Sequence, residues 1–534
     1  MLKVSQIRLD LDAPEDILPE LAAQKLRLAP GQIQSWRIAQ KSVDARKKSD
    51  VHFVYSLYLM LTPKAERRVL ANPRLEKFVR PAAEEKPQTL IAGRFAEPPV
   101  VVGAGPAGLF AALILAKAGA CPILLERGAD VDQRTHLVKE FWQRGKLNPA
   151  SNVQFGEGGA GAFSDGKLTT GTHDPMNRQV LHELAAAGAP AEILYLAKPH
   201  VGTDKLRLAV KNLRRRIIAL GGTVLFEHQL TNISIKNGAV AGLSAITPHG
   251  EQQFATANII LAPGHSARDT FRMLNAIGVP LEPKPFAIGV RAEHLQSDLN
   301  RAQYGDFAGH PKLPPADYKL VTHLDNGRTV YSFCMCPGGQ VVAAASEAGG
   351  VVTNGMSYHA RSGLNANAAL LVSVNPNDFA SDSPLAGIDF QCRIEKAAYQ
   401  MAGESYYAPC QMAGDFLMKR TGHGFGHIKP SYAPGVVPAD LHALLPDFVA
   451  ASLAQGIRAF GQRLAVYQDM EAPLTAPETR SSSPVRIPRD ATRQSIGLTG
   501  LYPCGEGAGY AGGIVSAAAD GIRTALAVLQ NSLL

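Results

Sequence analysis

Residues 98–128 read PPVVVGAGPAGLFAALILAKAGACPILLERG, an apolar run interrupted by closely spaced glycines. The pattern predicts an apolar strand ending at Val102, a small-residue helix through Ala118, and a second strand ending at Glu126. A strand, a glycine-rich turn and a helix in this order hold the ADP part of a dinucleotide. Glu126 lies about 20 residues beyond the turn, where an acid accepts hydrogen bonds from ribose hydroxyls. The stretch therefore predicts a dinucleotide-binding fold.

The glycines of this turn have the spacing G-x-G-x-x-G, and each has a mechanical role. Gly103 makes the tight turn, Gly105 leaves room for the pyrophosphate, and Gly108 lets the helix pack closely on the sheet. Pro106 and Ala107 begin the helix, whose free N–H groups and partial positive charge attract phosphates. The motif alone does not distinguish FAD from NAD.

The C-terminal segment 500–529, GLYPCGEGAGYAGGIVSAAADGIRTALAVL, makes that distinction. It reads as a short strand, a turn at Gly505 and Glu506, and a helix beginning near Gly513 and Ile514. In two-domain flavoproteins a late segment of this shape returns beside the first motif. Its acid binds a ribityl hydroxyl, and its helix N-terminus points at the flavin. FAD is therefore the predicted cofactor; the alternative is the closing helix of a plain Rossmann domain.

Two middle segments continue the pattern. Residues 207–246 read as a basic helix, a strand, a turn and a further strand, and residues 257–274 as a strand, a turn and a helix. Such a meander and returning strand occur in FAD domains. We expect Leu230 to contact the adenine through its backbone, and Ala262 and Gly264 to lie at the turn on the adenine side.

The loop 152–172, NVQFGEGGAGAFSDGKLTTGT, is the predicted flavin-facing segment. Its glycines let the backbone approach a flat ring, and Lys167 is a candidate to stabilise negative charge or to protonate a substrate. The alternative is a loop that only wraps the pyrophosphate and ribityl chain. Arg127 and Arg134 are further cofactor candidates, Arg134 at the pyrophosphate. The cofactor-binding residues predicted in the loop are Gly158, Gly159, Ala160, Gly161, Ser164, Asp165 and Lys167.

Several motifs resemble those of a bacterial family known as uncharacterised FAD-dependent dehydrogenases or NAD(P)/FAD-dependent oxidoreductases. They include VVGAGPAGLFAAL, NVQFGEGGAGAFSDGKL, FAIGVRAEH, CMCPGGQVVAAASE, ETRSSSPVRI and LYPCGEGAGYAGGI. With the N-terminal VSQIRLDLDAPEDIL, the resemblance covers nearly the whole chain. It implies an FAD cofactor and a redox reaction, and it names no substrate.

The predicted fold class is α/β: a Rossmann-like FAD-binding domain, an inserted mixed or antiparallel-sheet substrate domain, and a small N-terminal α+β domain. The chain of 534 residues is too long for one ordinary domain. The predicted segments are 1–95 (small α+β domain), 96–280 (first part of the FAD-binding domain), 281–430 (substrate or cap domain) and 431–534 (C-terminal part of the FAD-binding domain).

Some polar and thiol groups admit both a functional and a structural interpretation. Cys334 and Cys336 form a C-x-C on a predicted strand, so both thiols face the same side. They either face the flavin or, the interpretation we favour, are both buried packing residues. His423 and His427 have metal-ligand spacing, but the surrounding glycines and missing carboxylates argue against a metal. A further charged group lies before the C-terminal motif, where it holds an anionic substrate or the flavin, or is solvated: Glu478, Arg480 and Arg486.

Charge is concentrated near the N-terminus. Residues 1–95 hold 17 Lys and Arg against 11 Asp and Glu, whereas the net charge of the whole chain is only +8. A basic patch would suit an anionic partner, including RNA, although RNA-binding aromatics are not recognisable and nucleic acid is not our first expectation. The alternative is a solvated face. The basic residues concerned are Arg37, Lys41, Arg46, Lys47 and Lys48.

The sequence thus predicts a cytoplasmic FAD-dependent oxidoreductase that transfers hydride between an unidentified small organic substrate and the flavin. No apolar run reaches the length of a membrane span, and six cysteines do not form a disulfide framework. A second strand-G-x-G-x-x-G-helix unit is missing, so NAD(P)H is expected as a transient co-substrate at most. Two alternatives are an FAD-dependent hydroxylase and a nucleic-acid-associated flavoprotein that docks through residues 1–95.

Overall fold

The computed structural model describes residues 1–82, 90–172, 174–422 and 424–531. The chain divides into two compact units. The first comprises Met1–Thr89, Pro190–Pro199 and Ser297–Ala316, and the second comprises Leu90–Ala189, His200–Gln296 and Asp317–Leu534. The α/β class is confirmed. The sequence predicts four consecutive segments. The structure differs in that Pro190–Pro199 and Ser297–Ala316 belong to the N-terminal unit.

The N-terminal unit is built on a four-stranded antiparallel sheet in the order β2-β3-β1-β4. Its helices are α1 (Leu18–Leu26) and α2 (Pro63–Leu70). Alternate residues of the central strands are buried, the period expected of strands with one covered face. The strands are β1 (Leu2–Asp10), β2 (Ile33–Asp44), β3 (His52–Leu61) and β4 (Val79–Pro81).

A five-stranded parallel sheet, in the order β23-β11-β5-β6-β7, forms the centre of the second unit. Its strands are short and apolar, as is usual for parallel strands covered on both faces. They are β5 (Val100–Val102), β6 (Ile123–Glu126), β7 (Thr223–Phe226), β11 (Ile259–Leu261) and β23 (Leu501–Pro503). Its helices are α3 (Pro106–Lys117), α4 (Val131–Arg144), α5 (Met176–Ala186), α6 (Thr203–Ala219), α7 (Arg268–Ala276) and α13 (Ile514–Asn531).

The predicted meander is a three-stranded antiparallel sheet of β8 (Gln229–Lys236), β9 (Ala239–Thr247) and β10 (Gly250–Ala255). Asn237 and Gly238 between its first two strands both have positive φ, as their turn requires. Leu230 packs in the hydrophobic core that this meander shares with the parallel sheet.

The second unit also contains a seven-stranded mixed sheet in the order β14-β15-β18-β13-β21-β19-β20. In the sequence, its strands all fall between β11 and β23 of the parallel sheet. Strands β20 and β21 lie in the segment 431–534, which the sequence assigns to the FAD-binding domain. They belong to the mixed sheet because β21 pairs with β13 and β20 pairs with β19. Its strands are β13 (Phe286–Leu295), β14 (Val321–His323), β15 (Thr329–Cys336), β18 (Asn365–Val374), β19 (Ala408–Met412), β20 (Val436–Pro438) and β21 (Pro473–Glu478).

The remaining elements connect these sheets. Two ribbons pair β12 (Glu282–Pro283) with β22 (Val485–Arg486) and β16 (Gln340–Ala343) with β17 (Thr353–Met356). The other helices are α8 (Gln296–Tyr304), α9 (Ala386–Met401), α10 (Ala413–Leu417), α11 (Leu441–Leu444) and α12 (Asp447–Gly461). Among the residues described, none of the helices has the length and apolar character needed to cross a membrane.

Candidate functional site

The glycine turn after β5 is packed too closely for side chains. A Cβ at Gly103 would lie 2.2 Å from the carbonyl oxygen of Ala262, and one at Gly108 would lie 1.8 Å from the carbonyl oxygen of Gly103. Gly105 faces Gly159 of the predicted flavin loop, with 3.8 Å between a Cβ at Gly105 and the Cα of Gly159. The first motif, the returning strand β11 and the glycine loop therefore meet at one place.

The C-terminal segment joins the same junction. A Cβ at Gly505 would lie 2.7 Å from the Cβ of Ala107, and one at Gly161 would lie 3.0 Å from the side chain of Ile514. Helix α13 packs along α3, where a Cβ at Gly521 would meet the Ala107 carbonyl at 2.1 Å. Backbone groups and helix N-termini thus line a cradle without bulky side chains, which fits the diphosphate of FAD.

The predicted cofactor residues divide by their access to solvent. Those with an accessible surface are Gly103, Gly105, Pro106, Arg127, Gly159, Ala160, Gly161, Ser164, Lys167, Gly264, Glu506, Gly513 and Ile514. Those that are buried are Ala107, Gly108, Glu126, Arg134, Gly158, Asp165, Leu230, Ala262 and Gly505. The first group has the solvent access that a contact with FAD requires, and for both groups that contact stays a prediction.

Glu126 has a structural role besides the predicted one. Its two carboxylate oxygens accept hydrogen bonds from the backbone N–H groups of Ala104 (2.7 Å), Gly128 (2.9 Å) and Gly156 (2.9 Å). One carboxylate therefore ties the first turn to the flavin loop. Oε1 accepts two of these bonds, whereas Oε2 accepts only the one from Ala104 and keeps a lone pair. Contact of Oε2 with the ribose hydroxyls therefore stays a prediction.

Arg134 lies beneath the glycine loop and not at the pyrophosphate, where the sequence predicts it. It is completely buried, and its guanidinium donates only to backbone carbonyls, among them those of Asn152 (2.8 Å) and Glu157 (2.7 Å). The pyrophosphate contact that we predicted is replaced by support of the loop backbone. Arg127 is bound differently, since it pairs with Asp269 at 2.8 Å.

Asp165 also has a structural role, and its contact with the cofactor stays a prediction. Its carboxylate accepts from Arg361, with 3.0 Å between Nε and Oδ1, and from the Ser357 hydroxyl. The pair holds the end of the glycine loop to the segment that follows β17. Lys167 remains at the accessible side, and its Nζ lies 3.8 Å from Asp165.

Cys334 and Cys336 do not share an environment. A bulge interrupts the pairing of β15 and β18 between Phe333 and Cys336, and Cys334 adopts a left-handed φ of 40°. Cys336 is buried, whereas solvent reaches Cys334. Protein nevertheless surrounds Cys334 closely enough to raise the pKa of its thiol to about 12. The interpretation of two buried cysteines therefore holds for Cys336 and is wrong for Cys334, which solvent reaches.

Replacing Cys334 with Ser should leave both FAD content and the visible spectrum of the holoprotein unchanged. The raised pKa keeps the thiol protonated at neutral pH, so it contributes no thiolate charge beside the cofactor. Absorption spectra of the Cys334→Ser protein and of a Cys121→Ser control test this expectation. A long-wavelength band that is present in wild type and lost only in Cys334→Ser would show a thiolate in contact with the flavin.

Two buried ion-pair networks were not recognised from the sequence, one within the mixed sheet and one that joins α7, α9 and the residues after β21. Arg291, fully buried in β13, makes a bidentate pair with Glu478 at 2.9 and 3.0 Å. Glu395 receives two arginines, Arg268 at 2.8 Å and Arg480 at 2.8 Å. Glu478 and Arg480 are thus neither solvated nor free for a substrate. An ionisable residue within the apolar strand FAIGVRAEHL was the available signal.

Two titratable groups lie at the rim of the cradle. Burial raises the pKa of Glu506 to about 7, while Lys284 opposes that shift. His265, which follows the Gly264 turn, has its pKa lowered to about 3 by burial and by the neighbouring arginines, so it is neutral at physiological pH. Glu506 is therefore poised to change charge near neutrality.

FAD affinity should rise as pH increases through about 7, and the Glu506→Gln variant should lose this dependence. If the ionised carboxylate accepts the ribityl hydroxyl, bound FAD favours ionisation, and linkage makes affinity increase with pH. A change of about three- to tenfold between about pH 6 and 8 is expected in wild type. Titration of apoprotein with FAD at each pH measures it. The same slope in Glu506→Gln would contradict the role assigned to Glu506.

Metal binding receives no support from the parts of the chain described here. They contain no group of three or more potential ligands suited to a metal ion. His427 contacts Glu471 at 2.7 Å and Asp469 at 3.2 Å. His423 lies outside the described residues.

Comparisons with known proteins agree with the cradle. The family described as FAD-dependent protein, C-terminal domain-like, matches residues 285–481, and a domain of unknown function (DUF8436) matches residues 1–59. A protein of Clostridium beijerinckii (strain ATCC 51743 / NCIMB 8052), described as an uncharacterized protein, is 47% identical over 533 residues, 99% of each chain.

Solved structures show more distant similarity. The flavin-dependent brominase Bmp2 is 13% identical with a TM-score of 0.38, covering 82% of this chain and 79% of that one. A geranylgeranyl bacteriochlorophyll reductase-like protein of Thermoplasma acidophilum is 12% identical, with a TM-score of 0.36 and coverage of 82% and 78%. Glycine oxidase from Bacillus cereus ATCC 14579 is 11% identical, with a TM-score of 0.33 and coverage of 82% and 95%.

The parallel sheet, the glycine cradle and the matched FAD-dependent domain define an enzyme, an FAD-dependent oxidoreductase. The chain belongs to the family of the Clostridium protein, with which it shares nearly its whole length. The resemblance to the bacterial FAD-dependent oxidoreductases, drawn from sequence motifs alone, is confirmed.

Proposed function

We propose that the protein is a dehydrogenase in which hydride passes between a carbon atom of a small or medium-sized organic substrate and FAD. FAD supplies a two-electron donor or acceptor when it is bound. The supporting observation is the position of the glycine loop, which packs on the dinucleotide turn at Gly105 and is tied to the mixed-sheet region through Asp165 and Arg361. We assign substrate binding to the mixed-sheet side of this loop.

The chain's own groups divide the work. Backbone N–H groups of the glycine turns and the N-termini of α3 and α13 would hold the cofactor phosphates and the flavin edge. Glu126 and Glu506 would accept hydrogen bonds from the ribose and ribityl hydroxyl groups. Lys167 is our candidate for proton transfer or charge stabilisation, because it lies at the accessible end of the loop beside Asp165. Buried pairs such as Arg291 with Glu478 keep the substrate side rigid.

NAD(P)H is proposed as a transient co-substrate. The described ranges contain one parallel sheet of the dinucleotide-binding kind, and its glycine turn is part of the cradle that we assign to FAD. A second dinucleotide therefore has no separate domain of this kind within those ranges. We also place the protein in the cytoplasm, which its six free cysteines support because such thiols persist in a reducing compartment.

Anaerobic addition of NADH and then NADPH to the holoprotein tests the dehydrogenase proposal. Bleaching of the flavin bands, reversed by an organic acceptor, is expected. Lys167→Met should slow the reaction by about a hundredfold at unchanged FAD content, and Lys167→Arg should restore part of the rate. Product that carries an atom from labelled dioxygen would replace the dehydrogenase with a hydroxylase, and flavin that no organic donor reduces would overturn the proposal.

A further inference from the structure

The N-terminal sheet carries a row of cationic side chains around one aromatic ring. Strand register places Arg37 opposite Tyr58, Tyr58 opposite Lys3, and Lys3 opposite Arg80. Residues that face one another across strands point to the same side of a sheet. The four side chains therefore form one row across all four strands, spanning about 14 Å at an interstrand spacing of about 4.8 Å.

This row lies on the face opposite α1. The neighbours of Lys3 and Tyr58 in sequence, such as Val4 and Leu57, point the other way and are buried. The Tyr55 hydroxyl, on that buried face, donates at 2.6 Å to Glu15, just before α1. Helix α1 therefore covers the apolar face, and the cationic row lies on the opposite face.

The cations of the row are not neutralised within the protein. Arg37 and Arg80 are exposed, Lys3 and Tyr58 are half-buried, and none of the three cations pairs with an acidic residue in the described parts of the chain. The Arg37 guanidinium lies 4.2 Å from the Tyr58 ring centroid. An anion that binds here therefore displaces no internal carboxylate.

The acids of the same sheet lie at its other end. Asp10 and Asp50 both pair with Arg8, and Asp44 pairs with Arg46, which removes most of the net charge there. The sequence-based patch therefore includes residues that are already neutralised: Lys41 pairs with Glu15 as Arg46 does with Asp44. Only Arg37 of that patch belongs to the row.

We propose that this face binds single-stranded RNA. Unpaired cations attract phosphates, and the Arg37 guanidinium, which Tyr58 supports from below, offers a plane on which a base stacks. Bases are available for stacking in single strands and are hidden in duplexes. The whole chain has a net charge of +8, which also favours an anionic partner. This activity is independent of the proposed dehydrogenase reaction.

Binding of a fluorescent single-stranded RNA of about 12 nucleotides to the full-length holoprotein, measured by anisotropy over a range of salt concentrations, tests the proposal. The variant Lys3→Gln/Arg37→Gln/Arg80→Gln should bind at least about tenfold more weakly, and the slope of log Kobs against log salt should fall by about 2. The matched control is Lys64→Gln/Arg67→Gln/Arg74→Gln, which removes the same charge from exposed residues on and after α2.

Tyr58 supplies the second arm. Tyr58→Phe should retain RNA binding because it keeps the ring, whereas Tyr58→Leu should lose about tenfold because the Arg37 guanidinium loses the ring that supports it. Equal losses in both triple variants, equal affinity for duplex RNA, or preferential binding to anionic vesicles would overturn the assignment. An unchanged flavin spectrum in every variant separates these outcomes from any failure of the redox function.

Discussion

Gly105→Ala is expected to produce a folded protein that binds FAD at least about a hundredfold more weakly. Gly105 has φ −74° and ψ −178°, which alanine adopts readily, so the backbone is not strained. The added methyl group would meet only the Cα of Gly159, at an ordinary contact distance of 3.8 Å. It would, however, occupy the gap between two glycine turns through which the pyrophosphate approaches the backbone.

Equilibrium binding of FAD to apoprotein and the thermal midpoint of the apoprotein measure the two parts of this expectation separately. The midpoint should stay within a few degrees of wild type while FAD binding is lost. Gly424→Ala is a suitable control, because Gly424 is exposed and no atom lies within 4 Å of its added methyl group. Wild-type FAD affinity in Gly105→Ala would place the pyrophosphate elsewhere.

Glu395→Gln is expected to lower the free energy of unfolding of the second unit by about 3–5 kcal/mol. Arg268 and Arg480 both donate to this buried carboxylate, as does the Thr479 hydroxyl at 2.7 Å. Neutralising Glu395 leaves the two buried guanidinium groups with a single shared carboxylate, that of Glu347, which solvent reaches and which lies 3.5 Å from Arg480. A loss of this size follows because two buried positive charges then share one partly exposed carboxylate, which a missing hydrogen bond alone would not produce.

The same network predicts a pH dependence with a defined direction. Burial opposes ionisation of Glu395, but Arg480 and Arg268 hold the pKa of its carboxyl well below the ordinary 4.5. Stability from this group is present above pH 4.5 and lost as pH falls below that value. Urea unfolding at several acidic pH values should show that decline in wild type and a shallower one in Glu395→Gln. Exposed Glu251 provides the control substitution, and an equal loss in Glu251→Gln would contradict the network's role.

Local motifs made the cradle predictable from sequence. The spacing of Gly103, Gly105 and Gly108 already specifies a turn that excludes side chains, since each requirement lies within six residues. The C-terminal turn at Gly505 was recognisable for the same reason. The structure then brings both turns together with Gly159, as the FAD prediction requires.

Roles that depend on contacts between distant segments were not predictable. Arg134 follows the first motif closely, yet its guanidinium binds carbonyls of a loop folded back beneath it. Strict alternation along β15 predicts that Cys334 and Cys336 share one face. They do not share an environment, because a bulge in β15 changes the register between Phe333 and Cys336. The row through Tyr58 exists only once the order and register of all four strands are known.

The visible absorption spectrum of the purified protein, followed by identification of the released flavin, is the most direct measurement. A cradle that converges on the turns at Gly105, Gly159 and Gly505 predicts stoichiometric FAD with the two bands of an oxidised flavin. The bands should be largely absent from Gly105→Ala and retained in Gly424→Ala. A wild-type protein that carries no flavin and fails to bind added FAD would contradict the assignment of the site.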